Sequence, residues 1–379
     1  MPMGYDPTDD LKNLQQQAAD FALRSIATRK GLSSHTSFPL DLWKEFGGSG
    51  MLGIGTPREF TGKGLGYTGI CAAGRAFARH GCCLGITLSW LIHEIAAKYI
   101  FSEYASSDQK KRYLPAMATG EITTSIAISE PGVGGHPKHL KTTAEKTGSG
   151  YLLTGEKSFL TNGPIADLFI VFAVSGHEGE RKRFSAFVVP RETPGLRQTE
   201  PLDFGFLRPC PHGGIIMDAC MIPEENLLGI SGTAYEDMAL PFREVEDTMM
   251  MGPIIGAQEA RLYEIVSAFR EKAAPLTGDI PFQLGGLIST LSVLDIIALD
   301  AAHRLDDGND HGGLTNLILA FRHICAKMHQ EFNELITMAG IIPSESYQAL
   351  AHDLDYIERF AGRVSRIKQM KLGTALISA

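Results

Sequence analysis

Ile128-Ser-Glu-Pro-Gly-Val-Gly-Gly135, followed by Gly155-Glu-Lys-Ser-Phe-Leu-Thr-Asn-Gly163, joins a glycine-rich turn to a strand ending in an aromatic residue, a hydroxyl and a tight Asn-Gly turn. Glycines let the backbone approach a ligand closely, and a strand end offers amides and an aromatic ring. That arrangement suits a flat, hydrogen-bonding ring lying against backbone amides.

Short runs rich in β-branched and aromatic residues surround this stretch. Thr123–Ile128, Leu168–Ala173, Phe184–Val189 and Gly214–Met217 are each bounded by Gly, Pro or Asn, which predicts an antiparallel β-domain over 121–232. Its last strand exits through Ile222-Pro-Glu-Glu-Asn-Leu-Leu-Gly229.

Residues 1–120 read as helical. Leu11, Leu14, Ala18, Phe21 and Ala22 fall at the spacing of one buried helix face. A second helix opens at Phe38-Pro39 and stops at Gly47-Gly48, and a long apolar segment runs from Ile70 to about Phe101. Ser107–Pro115 reads as a short charged helix halted by proline. From 233 to 379 the chain is helical again. Segments near Pro253–Lys272, Pro281–Asp306, Gly313–Ala339 and Ser346–Leu372 are divided by Gly/Asp/Pro-rich breaks and predict an up-down four-helix bundle.

Composition is that of an ordinary soluble protein: 379 residues, 44% hydrophobic, 21% charged and a formal net charge of −8. No basic surplus points to nucleic acid. The start lacks a basic region and an apolar run, so no signal peptide is expected, and the cytoplasm is the expected location. The apolar run from Leu284 to Ala301 is broken by Gly285, Gly286, Ser289, Ser292 and Asp295, and reads as a buried helix, not a membrane span. The six cysteines show no C-x-x-C spacing and read as free thiols; Cys210, His212 and Cys220 lack a partner pair to complete a metal site. Gly62-x-Gly64-x-Gly66 does not follow a strand of a βαβ unit, so it does not read as a dinucleotide turn.

The central stretch resembles the middle domain of the acyl-CoA dehydrogenase family, whose pattern reads roughly T-E-P-x-A-G-S-D, then G-x-K-x-[WF]-I-T-N-G. Thr61-Gly-Lys-Gly-Leu-Gly-Tyr67 and Gly205–Gly214, with Arg208, are similar to two further family segments. The resemblance implies an α+β multidomain fold: an N-terminal helical domain, a middle antiparallel β-domain and a C-terminal four-helix bundle. It implies FAD, an acyl-CoA substrate and a homo-oligomer, dimer or tetramer. It also implies electron transfer to an electron-transfer flavoprotein. The reaction would be α,β-dehydrogenation, with α-proton abstraction and hydride transfer to flavin N5.

Carried onto this chain, the resemblance puts Ile126, Ile128, Ser129, Gly134 and Gly135 along one edge of the flavin, with Phe159 over a face and Thr161 on the far side. Taken singly, Phe159 reads equally as core and Thr161 as a turn cap. Gly135-His136 replaces the usual Ser-Asp. At the adenine end, Gln283 fits the family's glutamine, and Lys272 and Pro275 stand where an arginine and a phenylalanine are usual. Lysine meets a phosphate as a point charge and lacks arginine's planar fork.

The usual catalytic glutamate of a Y-E-G-T motif matches Ala361 in Phe360-Ala-Gly-Arg363; its backbone amide could still polarise a thioester carbonyl. Members with the base on the opening helix of the bundle match Val245, one residue before Glu246. Glu246 therefore reads as a base, as an ion-pair partner of Arg363, or as a solvated acid. Glu94, in an apolar helix, reads as a buried acid paired with His93 or a helix neighbour, or as an alternative base. Two rival functions stand beside the dehydrogenase. One is a non-catalytic subunit forming a hetero-oligomer with an active homologue, and the other is a flavoenzyme performing reduction or another reaction on an unusual acyl group.

Overall fold

The computed structural model describes residues 9–272, 278–308 and 313–378. Its main helices are α1 (Asp9–Phe21), α2 (Leu40–Gly48), α3 (Gly66–Gly81), α4 (Leu84–Ile95), α5 (Ser107–Thr119), α6 (Leu240–Met249), α7 (Met251–Lys272), α8 (Ile280–Asp307), α9 (Leu314–Ala339) and α10 (Glu345–Ser378). The strands are β1 (Thr124–Ala127), β2 (Thr143–Thr147), β3 (Gly150–Thr161), β4 (Leu168–Glu178), β5 (Arg181–Pro190), β6 (Leu196–Gln198), β7 (His212–Pro223) and β8 (Leu227–Leu228). Helices, then a sheet, then a bundle is the architecture read from the sequence. Compactness groups them into two units: residues 34–66 with 88–246, and residues up to 33 with 67–87 and 247 onward.

In the first unit the sheet runs in the order β6-β7-β3-β2-β4-β5-β8, with β1 set on β4. Most pairs are antiparallel as expected, but β1 and β2 both run parallel to β4. Parallel neighbours need a crossover; here β2 and β3 intervene in the chain between β1 and β4. The core of this sheet is Tyr151, Leu153, Leu160, Phe169, Val171, Phe187, Val189, Ile215 and Ile222, all nearly free of solvent. Along β4, residues 168 to 174 are buried without alternation, because both sheet faces are covered.

Helix α5 corrects one expectation. It passes through Pro115 and ends at Thr119, where Gly120 takes φ 77°. Proline removes one helical donor, yet Tyr113, Leu114, Met117 and Ala118 are buried on either side of it, and their burial holds the last turn. At the other end Ser106 and Gln109 cap each other reciprocally, the Gln109 N–H donating to Ser106 Oγ at 3.2 Å and the Ser106 N–H to Gln109 Oε1 at 2.8 Å.

In the second unit α7 lies directly on α3. A Cβ on Gly252 would stand 2.2 Å from the Cys71 carbonyl oxygen, and one on Gly256 2.1 Å from that of Arg75. Glycines four apart share a helix face, so the two backbones touch there. Arg75 ties the helices together further, bonding Glu259 of α7 at 2.6 Å and Asp295 of α8. The apolar segment expected from Ile70 to Phe101 is two helices, interrupted at Cys82, which takes φ 51°. Gly81 just before it leaves no room for a side chain, with Ile26 2.8 Å from a would-be Cβ.

Helices α7 to α10 form the expected bundle, α8 packing on α7 and α9, and α10 closing on α7 and α9. Inside it Arg261 is fully buried, with Phe332 and Tyr347 rings 4.3 and 4.7 Å from its guanidinium. Helix α8 corrects another expectation. Leu287, Leu291, Leu294, Ala298 and Ala302 are buried, whereas Phe282, Ile288, Val293 and Ile296 face outward. By length and composition alone this helix could cross a membrane.

Candidate active site

The two motifs of the central stretch come together in the first unit. Strand β3 carries an extra residue opposite β7: Lys157 pairs with Ile215, and Leu160 with Gly213. This bulge puts Phe159 at φ 61°, a region bulky residues avoid, and leaves the residue 51% exposed. A half-exposed aromatic residue there offers a flat apolar face to a partner. Phe204 lies 6.0 Å from it, ring to ring.

The other motif is held against β3 by hydrogen bonds. The Ser158 N–H donates to the Ser129 carbonyl at 2.9 Å. Ser125 Oγ donates to the Thr161 carbonyl at 2.7 Å, which fixes the strand end beside β1. The turn closes on itself, Glu130 and Gly134 exchanging N–H to carbonyl bonds at 3.1 Å each way. Gly135 lies close by, its would-be Cβ 3.5 Å from Ile128 and 3.6 Å from Ser129 Oγ. So Ile126, Ile128, Ser129, Gly134, Gly135, Phe159 and Thr161 form one neighbourhood.

Residues not singled out in the sequence build its frame. Lys157 Nζ, fully buried, donates to Glu130 Oε1 at 2.9 Å and to the Ile128 carbonyl at 3.0 Å. The Glu130 carboxylate also accepts the Lys141 and Thr142 N–H groups, at 2.7 and 2.9 Å. These contacts hold Glu130 below the usual carboxylate range against the opposing effect of burial. Burial pulls Lys157 down to about 8, with Glu130 acting the other way. Asn162 takes φ 65° to turn the chain and is fully buried. Its Nδ2 donates to the Ser89 carbonyl at 2.8 Å, its Oδ1 accepts from Ser89 Oγ, and its N–H donates to the Pro211 carbonyl at 2.8 Å. Opposite charges in the two motifs, Glu130 and Lys157, were the available signal.

Two polar atoms, each taken within its own unit, bear on whether polar cofactor groups fit there. Ser158 Oγ, beside Phe159, is buried with no hydrogen-bond partner among the described residues. So is Gln283 Oε1, on α8 in the other unit, at the position assigned to the adenine end. Six other buried side-chain atoms of the described residues, among them Trp43 Nε1 and Arg261 Nε, also lack a partner, so these two are compatible with a group supplied from outside the chain without being specific to one. Lys272 ends α7 with its side chain outside the described residues, and Pro275 lies outside them altogether. The side chains of Ala361 and Arg363, in α10, are likewise outside them. Glu246 stands half-buried in α6, one residue past the buried Val245 and so turned by about 100° from it. Arg322 in α9 bonds Asp247 at 2.6 Å and Ser365 at 2.9 Å.

Glu94 corrects the expectation that it pairs with His93. It accepts the Ile54 and Gly55 N–H groups at 3.2 and 3.0 Å, while His93 faces Thr124 Oγ1 and the Met117 carbonyl, both at 3.0 Å. Burial pushes Glu94 up to about 7 and His93 down to about 4. Among the described residues no group of three His, Cys, Asp or Glu is placed to hold a metal.

A half-exposed aromatic residue on a bulged strand beside a glycine turn offers a ring face and nearby backbone groups to a flat ligand, in a chain of helices, a sheet and a bundle. Comparison with known proteins gives the family. The N-terminal domain model of acyl-CoA dehydrogenases matches residues 8–121, and the middle domain model 125–220. The chain belongs to the acyl-CoA dehydrogenase family, whose members are flavin-dependent dehydrogenases with FAD as cofactor. It is 39% identical over 191 residues to L-prolyl-[peptidyl-carrier protein] dehydrogenase of Pseudomonas fluorescens, covering 50% of each chain. It is 27% identical over 378 residues to the mitochondrial isovaleryl-CoA dehydrogenase of Oryza sativa subsp. japonica, covering 97% of this chain and 91% of that one. The fold matches butyryl-CoA dehydrogenase from Megasphaera elsdenii with a TM-score of 0.88 at 19% identity, over 99% of this chain and 100% of the other. Against several curated relatives the matched part spans only 50% to 64% of their length.

Proposed function

We propose that this chain is an FAD-dependent dehydrogenase that oxidises an acyl-CoA thioester between its α and β carbons, working as a homo-oligomeric dimer or tetramer. The observation that carries this reading is Phe159, half-exposed on its bulge beside the Ile128–Ser129 backbone. FAD, when bound, supplies the acceptor for the β-hydride. Ile126, Ile128, Ser129, Gly134 and Gly135 would meet one edge of the ring, Phe159 a face and Thr161 the far side. Gln283 and Lys272 would hold the adenine end. Glu246 takes the α-proton in this reading, because Ala361 has no acid to offer, and the Ala361 amide polarises the thioester carbonyl.

The outward apolar residues of α8, with Ile367, Met370 and Ile377 of α10, support assembly with further copies. An electron-transfer flavoprotein is the acceptor this reading implies. Six free cysteines fit a reducing compartment, which supports a cytoplasmic location. The direct test is FAD titration followed by anaerobic mixing with acyl-CoAs of different length; a chain that takes up FAD but is bleached by none would not be an acyl-CoA dehydrogenase.

A second reading is favoured by the relative named for a prolyl-carrier protein: the acyl group is carried on a peptidyl carrier. Bleaching by the acylated carrier and not by the matching acyl-CoA would decide for it. Activity appearing only on mixing with a homologous chain would decide for a non-catalytic subunit.

A further inference from the structure

Strand β1 pairs with β4, so no backbone ladder joins the Ile128–Glu130 segment to β3. What joins them is a short series of contacts reaching the residues just before the bulge. The carbonyls of the consecutive residues Ile128 and Ser129 are taken by the consecutive residues Lys157 and Ser158, through an ammonium at 3.0 Å and an amide at 2.9 Å. The next residue, Phe159, turns away at φ 61°. Glu130 anchors the far side of the same lysine and, through the Lys141 and Thr142 amides, the chain entering β2.

A buried ion pair is a poor way to gain stability, since apolar residues of similar volume do as well. It is a good way to fix one geometry, because the lysine must stay where its acceptors are and any slip leaves a charge unpaired. Here those acceptors include a carbonyl of the ring-binding segment itself.

We propose that the Lys157–Glu130 pair is a positioning device for the cofactor ring: it locks the Ile128–Ser129 backbone in register with the Phe159–Thr161 strand end. Neither side chain touches the reacting atoms; both act through the backbone they hold. The proposal rests on the flavin reading above.

The test compares full-length wild type with Lys157→Met and with Lys157→Met/Glu130→Gln, which removes the clamp without leaving a buried charge. Three quantities are read: thermal midpoint, FAD dissociation constant with the fine structure of the flavin visible band, and hydrogen exchange of the Ser158 amide in the FAD-free protein. The double variant should regain much of the thermal midpoint lost by the single one. It should still bind FAD about tenfold to a hundredfold more weakly, as displaced binding groups do, with altered band structure and faster Ser158 exchange. A double variant with wild-type FAD affinity and band shape, or with unchanged Ser158 exchange, overturns the proposal and leaves the pair merely structural. Wild type that takes up no FAD overturns the flavin reading instead, and the wild-type arm shows this by itself.

Discussion

Ser158 gives its backbone N–H to the carbonyl of Ser129 at 2.9 Å, and with that bond a glycine turn and a bulged strand become one surface. The consequences for the cofactor begin with Thr161, at the end of that strand and half-exposed. Thr161→Val keeps the shape and removes the hydroxyl. FAD affinity should fall by roughly threefold to tenfold, the worth of one hydrogen bond, or the reduction potential should shift. If titration and potentiometry both return wild-type values, Thr161 does not face the ring.

Asn162→Ala should destabilise the protein by about 2 to 4 kcal/mol, since it removes two buried side-chain bonds to Ser89 and puts alanine in the left-handed region. Denaturant unfolding measures this. A loss under about 1 kcal/mol would mean the turn relaxes without its side chain.

His93 and Glu94 predict a concealed pH dependence. The folded chain keeps a proton on Glu94 up to about 7 where the unfolded chain releases it from 4.5, so this group's contribution falls as pH rises. The unfolded chain takes up a proton on His93 below 6.5 that the folded one refuses down to about 4, so that contribution rises with pH. Between pH 4.5 and 6.5 the two slopes oppose each other. Glu94→Gln should leave the His93 slope alone, up to about 1.4 kcal/mol gained per pH unit relative to wild type. Stability-versus-pH curves of wild type and variant that stay parallel from pH 5 to 6.5 would show that Glu94 does not titrate as its burial requires.

Much of this architecture was legible in the chain. Glycine and proline breaks separated the bundle helices within a few residues of their ends, because each break interrupts a clear helical period. Pro115 misled, since local propensity cannot show that the turn after it is buried. The outward face of α8 was equally hidden: Ile288 and Leu287 look alike until neighbours decide which is covered. At the candidate site the motif residues around Phe159 are legible in the sequence, and the pairing that frames them is not. Lys157 and Glu130 were letters in two motifs, and their meeting depends on a sheet order in which β1 lies on β4, far from its chain neighbours. Glu94 was judged by the residue beside it, whereas its partners lie some forty residues away, at Ile54 and Gly55.

Glu246→Gln removes the negative charge at nearly constant volume. If Glu246 accepts the α-proton, the variant should retain FAD yet lose thioester-driven bleaching by at least about a hundredfold, the usual contribution of a general base. Unchanged turnover would exclude it and make Glu94 the next acid to replace.

On the proposed reading this chain binds FAD on the Phe159 shelf and passes a thioester's electrons to it. The visible spectrum of FAD-loaded protein mixed anaerobically with acyl thioesters, for wild type and Phe159→Ala side by side, tests both parts. Wild type should hold FAD and lose its oxidised band with at least one thioester, and Phe159→Ala should bind FAD more weakly with a shifted band. Wild type that takes up no FAD or keeps its oxidised band with every thioester, or a Phe159→Ala spectrum and affinity identical to wild type, would contradict it.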